Sequence, residues 1–161
     1  MKPRKKKPAP KRRHKGAPKQ ARKTTLLPPE QRPRIGLEAT VERIVLPEHT
    51  IRHINPNLPA VFSTPSMIGL MEHASVLAVL PELPPGVITV GTRIEVDHLK
   101  AVPPGATVRA WAKLVEHRGR FLVFDVEARS GELVIGRGRV FRAIVEPATH
   151  HAKAHARLQK Q

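Results

Sequence analysis

Cysteine is absent from the 161-residue chain. That absence excludes a disulfide framework and any thiol chemistry, and it makes a reducing, cytoplasmic setting the expectation. No run of about 18 apolar residues occurs, so no membrane-spanning helix is expected. The N-terminus is basic, but no apolar h-region follows it and it shows no apolar periodicity, so it reads neither as a secretory signal nor as a mitochondrial one. Aromatic residues are scarce, with four Phe, one Trp and no Tyr. None lies among the basic charges of the first 34 residues, so sequence-specific nucleic-acid binding by stacking has no support there.

Acidic residues are also missing where the basic ones are densest. The net charge is +16, yet it is confined to the ends. Residues 1–34 carry 14 Lys and Arg against one acid, Glu30; residues 35–146 carry 12 of each sign; residues 147–161 carry three basic residues and no acid. The expected organisation is therefore a Lys/Pro-rich tail over 1–34, a neutral folded domain over 35–146 and a basic C-terminal tail over 147–161. The first tail has almost no large apolar residue to offset its ordering entropy, so disorder is expected. It reads either as a solvating segment or as an arm with nonspecific contact to polyanions. His150, His151 and His155 stand in the second tail without a partner cluster, so no metal site is expected.

The neutral part has the length of one domain with one core. "RIGLEATVERIVLP" alternates Leu37, Ala39 and Val41 against Glu38, Thr40 and Glu42, a half-buried strand. "PEHTIRHINPNLPAVF" is broken by Pro47, Pro56 and Pro59 and reads as a connector. "FSTPSMIGLMEHASVLAVL", residues 62–80, is a helix apolar nearly all round, with Thr64 as N-cap and Pro65 in the first turn. Four strands follow. The first places Ile88, Val90, Ile94, Val96 and His98 on one parity, and the last three are joined by short Gly-containing turns. One helix and five strands predict an α+β fold of the hot-dog kind, a curved antiparallel sheet wrapped around one central helix. An open sheet edge predicts a homodimer or a dimer of dimers.

Within the helix, Glu72 and His73 are the only ionisable side chains between Pro65 and Leu80. An unpaired buried carboxylate is costly, so Glu72 needs either a partner or a chemical task. Taken singly, Thr64 suits an N-cap, Glu72 an ion pair with an Arg across a dimer interface, and His98 a hydrogen-bonded structural histidine.

Together they resemble a known set. "PEHTIRHINP…VFSTPSMIGLMEHA" with "VGTRIEVDHLKAVPPG" is similar to the fluoroacetyl-CoA thioesterase family of hot-dog proteins, from about Gly36 to Val145. The resemblance implies a catalytic set of Thr64, Glu72 and His98. It also implies Gly91 beside the acyl group and Arg142 as a substrate contact near the CoA phosphates. Thr64 would be nucleophile or water-positioner, Glu72 the base or its orienter, and His98 the proton carrier. No cofactor is implied, since CoA arrives as part of the substrate. "TIRHINPNLPAVFST" is shorter than the matching segment of the fluoroacetyl-specific enzyme and lacks its pair of lid phenylalanines, so lid-based selectivity is not expected. The expected activity is hydrolysis of a small acyl-CoA. A non-catalytic acyl-CoA binding module, and a nucleic-acid-associated protein acting through the basic tail, are the alternatives.

Overall fold

The structure, a computed structural model, describes residues 27–158. The expected disordered tail lies outside the described residues through position 26. The elements run β1 (Glu38–Ile44), a one-turn α1 (Ile51–Ile54), α2 (Thr64–Val79), β2 (Ile88–His98), β3 (Thr107–Arg118), β4 (Phe121–Ser130), β5 (Leu133–Val145) and α3 (Pro147–Leu158). The strands form one antiparallel sheet in the order β1-β3-β4-β5-β2. Gly119 and Gly131, with φ of 63° and 56°, close the β3–β4 and β4–β5 hairpins in a backbone region that favours glycine.

The concave face of the sheet carries Ala110, Ala112 and Leu114 of β3, and Leu122, Phe124, Val126 and Ala128 of β4, all buried. Met67, Leu70, Met71, Ala74, Ala78 and Val79 of α2 pack against them. Each large side chain so buried contributes about 1.5–3 kcal/mol. The helix packs chiefly on β3 and β1, which makes this the sheet-around-helix arrangement read from the sequence.

Three local readings are corrected. First, α2 is not buried all round: Gly69 and His73 are exposed, and Ile68, Glu72, Val76 and Leu77 are half-buried. Second, the parity of β2 changes at a bulge between Gly91 and Arg93. Before it, Thr89 and Gly91 pair with Ile144 and Arg142 on the helix side; after it, Ile94, Val96 and His98 take over that face opposite Val140, Gly138 and Gly136. Ile88 and Val90 therefore do not share the face of His98, because one extra residue inverts the alternation. Third, 147–158 is helical, and the packed chain begins upstream of residue 35. Leu27 is buried in the core, and exposed Arg34 pairs with Glu82.

Candidate active site

The start of α2 and the end of β2 are brought together by the connector. Phe62 N–H donates to the Val102 carbonyl at 2.7 Å, and both side chains are buried. This tie sets residues 63–66 beside the segment that leaves β2. Ser63, not Thr64, is the N-cap: its Oγ accepts from Ser66 N–H at 3.3 Å and lies 2.9 Å from Ser66 Oγ. The cap is thus supplied by the preceding residue, and Thr64, in the first turn, keeps its hydroxyl for another partner.

That partner is His98. Thr64 Oγ1 lies 2.8 Å from His98 Nδ1, and His98 Nε2 lies 3.1 Å from the Lys100 carbonyl oxygen. A carbonyl can only accept, so the network assigns the hydrogen of the neutral ring to Nε2. Nδ1 then offers a lone pair, and the Thr64 hydroxyl donates to it. A hydroxyl, an imidazole base and an acceptor that fixes the tautomer are the parts of an activated nucleophile. The dyad stands at the N-terminus of a four-turn helix, where the positive end of the dipole favours developing negative charge, although Pro65 has no N–H and those of Ser66 and Met67 are already taken by Ser63.

Glu72 belongs to a second cluster. Its Oε1 accepts from Arg142 Nη1 at 3.0 Å, the Arg142 side chain being 6% exposed and that of Glu72 35%. Arg142 also donates from Nε to Thr89 Oγ1 at 2.9 Å and from Nη2 to the Thr89 carbonyl at 3.0 Å. Burial pushes the guanidinium pKa down, and the charge and hydrogen bond of Glu72 oppose that shift. Gly91 lies opposite Arg142 in the β2–β5 register. A Cβ there would overlap Glu72 Oε1, so only glycine lets the carboxylate lie against the strand.

The five residues singled out in the sequence thus fall into two groups along the side of α2 that faces β2: Thr64 with His98, and Glu72 with Gly91 and Arg142. Among the described residues no hydrogen bond joins Glu72 to Thr64 or His98. Eight helical residues place the two groups about 12 Å apart along the α2 axis. Ser63, Thr89 and the Lys100 carbonyl were not anticipated. "STPS" offers two hydroxyl residues as caps with nothing local to choose between them. Thr89 was hidden by the parity assumed for β2, and a backbone carbonyl has no sequence signature. Among the described residues no three His, Asp or Glu side chains converge as metal ligands, and no helix is long and apolar enough to cross a membrane.

Comparison with known proteins bears on the same segment. Residues 37–148 match the family described as fluoroacetyl-CoA-specific thioesterase. A curated fluoroacetyl-CoA thioesterase of Streptantibioticus cattleyicolor is 40% identical over 126 residues, spanning 74% of this chain and 91% of the relative. A solved structure of a fluoroacetyl-CoA thioesterase superposes with a TM-score of 0.72 at 40% identity, covering 76% of this chain and 96% of the other. A thioesterase superfamily member from Thermus thermophilus superposes with the same TM-score, 0.72, at 32% identity, over 79% of this chain and 93% of its own. A hot-dog-like protein from Thermanaerovibrio acidaminovorans, 21% identical, shares the fold with a TM-score of 0.70, over 76% of this chain and 91% of its own. The family match covers both groups of residues, and the chain belongs to the family of fluoroacetyl-CoA-specific thioesterases on the hot-dog fold.

Proposed function

We propose that the protein hydrolyses a small acyl-CoA to the free acid and CoA, with Thr64 and His98 as the reacting pair. The observation that carries this reading is the 2.8 Å approach of Thr64 Oγ1 to His98 Nδ1, with Nε2 held by the Lys100 carbonyl. His98 takes the Thr64 proton as Oγ1 attacks the thioester carbonyl. The tetrahedral oxyanion forms at the α2 N-terminus, and the CoA thiolate leaves with the proton from His98. Water then enters by the same base and frees the acid. CoA stays a substrate component, and no resident cofactor or metal takes part. A solved relative has been captured with fluoroacetate and CoA. In this chain Phe62 is the sole aromatic residue from 47 to 62 and is buried in the core, so the connector offers no aromatic lid and the acyl preference is broader.

A homodimer completes the site in this reading. Among the described residues the outer edge of β2 has no neighbour in the sheet, and Ile94 on that strand is 36% exposed. Antiparallel pairing of β2 with its copy about a twofold axis turns the His98 end of one strand toward the Gly91 end of the other. Thr64 and His98 then approach the partner's Glu72, whose carboxylate orients water or stabilises the imidazolium. The basic N-terminal residues supply nonspecific, salt-sensitive attraction to polyanions, CoA phosphates included. Release of free CoA, measured over acetyl-, fluoroacetyl-, branched, aromatic and long-chain acyl-CoAs, tests the proposal. Turnover of short acyl-CoAs that is lost in Thr64→Ala and His98→Asn supports it. Binding without turnover of any thioester would replace it with the non-catalytic module.

A further inference from the structure

A second constellation lies apart from the candidate active site, on the C-terminal helix. His151 and His155 stand one helical turn apart on α3 and both are exposed. Their rings lie with centroids 4.3 Å apart and planes inclined by 53°, and the two Nε2 atoms approach to 3.1 Å. An N–H···N bond between the two rings uses only one of the two Nε2 lone pairs. A cation that takes both lone pairs at once uses the geometry fully. With metal–nitrogen bonds of about 2.0–2.1 Å, a 3.1 Å separation corresponds to a bite angle of roughly 100°. That value lies between the square and the tetrahedral ideals.

We infer that His151 and His155 form a two-ligand chelate for a divalent first-row transition metal, of the Cu²⁺, Ni²⁺ or Zn²⁺ class. Imidazole nitrogen selects these ions over Mg²⁺ and Ca²⁺, which take oxygen ligands. Paired histidines four residues apart on one helix face are a recurring metal-binding arrangement. No third His, Asp or Glu joins them among the described residues, so water fills the remaining positions and the ion exchanges readily. The site has a structural consequence. Every residue of α3 whose exposure is described is exposed, and a helix of 12 residues is by itself marginal in water. A cation bridging successive turns binds the helical form more tightly than the unfolded one, so metal binding and helix formation are coupled.

The test uses the full chain at neutral pH. Ni²⁺ and Zn²⁺ binding is measured by competition with a chromophoric chelator, and amide hydrogen exchange over 147–158 is followed with and without metal. The three variants His151→Ala, His155→Ala and His150→Ala are compared with the unaltered protein. His150 adjoins His151 but is not in the pair. Loss of either His151 or His155 is expected to weaken one site by more than about tenfold. His150→Ala is expected to leave that site unchanged, and metal is expected to slow exchange across α3 only when both paired histidines are present. Equal affinity in all four proteins, equal weakening by His150→Ala, or exchange over α3 that ignores the metal would overturn the assignment. So would failure of the unaltered chain to bind either ion.

Discussion

Glu72 Oε1 accepts a hydrogen bond from Arg142 Nη1 at 3.0 Å, and the guanidinium that donates it is 6% exposed. The carboxylate in the middle of the central helix therefore has an ion-pair partner inside its own chain. Replacing it by Gln keeps an acceptor for Arg142 but removes the compensating charge. Because Glu72 is itself 35% exposed, water screens part of the loss, and Glu72→Gln is expected to destabilise the fold by about 1–3 kcal/mol. If the carboxylate also serves the chemistry, kcat falls by about 10²–10⁴-fold, far more than the unfolded fraction explains. The unfolding midpoint and kcat/KM of the same preparation separate the two effects. A well-folded Glu72→Gln protein with full activity removes Glu72 from the mechanism.

The separation of the two groups in one chain leads to a complementation test. Thr64→Ala and Glu72→Gln homodimers are each expected to be nearly inactive. If each site joins Thr64 of one protomer to the partner's Glu72, unfolding and refolding an equal mixture restores about a quarter of wild-type activity. Half of the dimers are then mixed, and one of their two sites is intact. A site built within one chain restores nothing, so a mixture no more active than its components would disprove sharing across the interface.

Gly91 offers a smaller perturbation of the same carboxylate. A methyl group there overlaps Glu72 Oε1 and stands 3.9 Å from Arg142 Nη1. Gly91→Ala is expected to swing Glu72 off the strand while Arg142 keeps both bonds to Thr89. The fold should lose no more than about 1–3 kcal/mol, with kcat reduced more than KM is raised. A Gly91→Ala protein with wild-type kcat would show that the position of the carboxylate is unimportant. A crystal structure of that variant with the Glu72–Arg142 bond intact would show that the strand yields instead.

Acid titration probes the N-terminal tie. Side-chain and backbone hydrogen bonds from Arg34 hold the Glu82 carboxyl below its ordinary value of 4.5. A carboxyl whose folded pKa is depressed stabilises the fold above its unfolded pKa, and this contribution fades as pH falls through the folded value. The stability gap between wild type and Glu82→Gln should therefore be constant from pH 6 to 8 and close progressively below about pH 4.5. The gap should be small, because the Arg34 side chain is 82% exposed. A gap that widens on acidification would reverse the assignment.

Truncation locates the start of the packed chain. Deleting residues 1–26 is expected to leave the melting temperature and turnover unchanged. Deleting 1–34 additionally removes Leu27, which is 5% exposed, the Arg34–Glu82 pair and the Pro33 carbonyl that His117 Nδ1 reaches at 3.3 Å. Losing Leu27 alone costs about 2–4 kcal/mol. Equal melting temperatures for the two truncations would show that the segment from 27 to 34 contributes nothing to the fold.

Periodicity and composition carried much of this protein into view. The alternation of Leu37, Ala39 and Val41, the apolar run from Met67 to Val79 and the short glycine turns at 119 and 131 each specify local structure, because backbone preference and hydrophobic patterning act over a few residues. One helix and five strands then leave few ways to cover a single sheet face. Thr64, Glu72 and His98 came into view through the resemblance to the fluoroacetyl-CoA thioesterase family, whose motifs they match jointly. Tertiary structure decided how those residues are paired. The choice of Ser63 over Thr64 as cap depends on where the Phe62–Val102 bond sets the chain. The one-residue bulge after Gly91 exchanges the faces of β2 without altering its composition. Glu72 finds Arg142, 70 positions away, and His151 meets His155 only because 147–158 winds into a helix. Such contacts rest on register, rotamer and long-range packing, which are set by the whole core and not by the neighbouring residues in sequence.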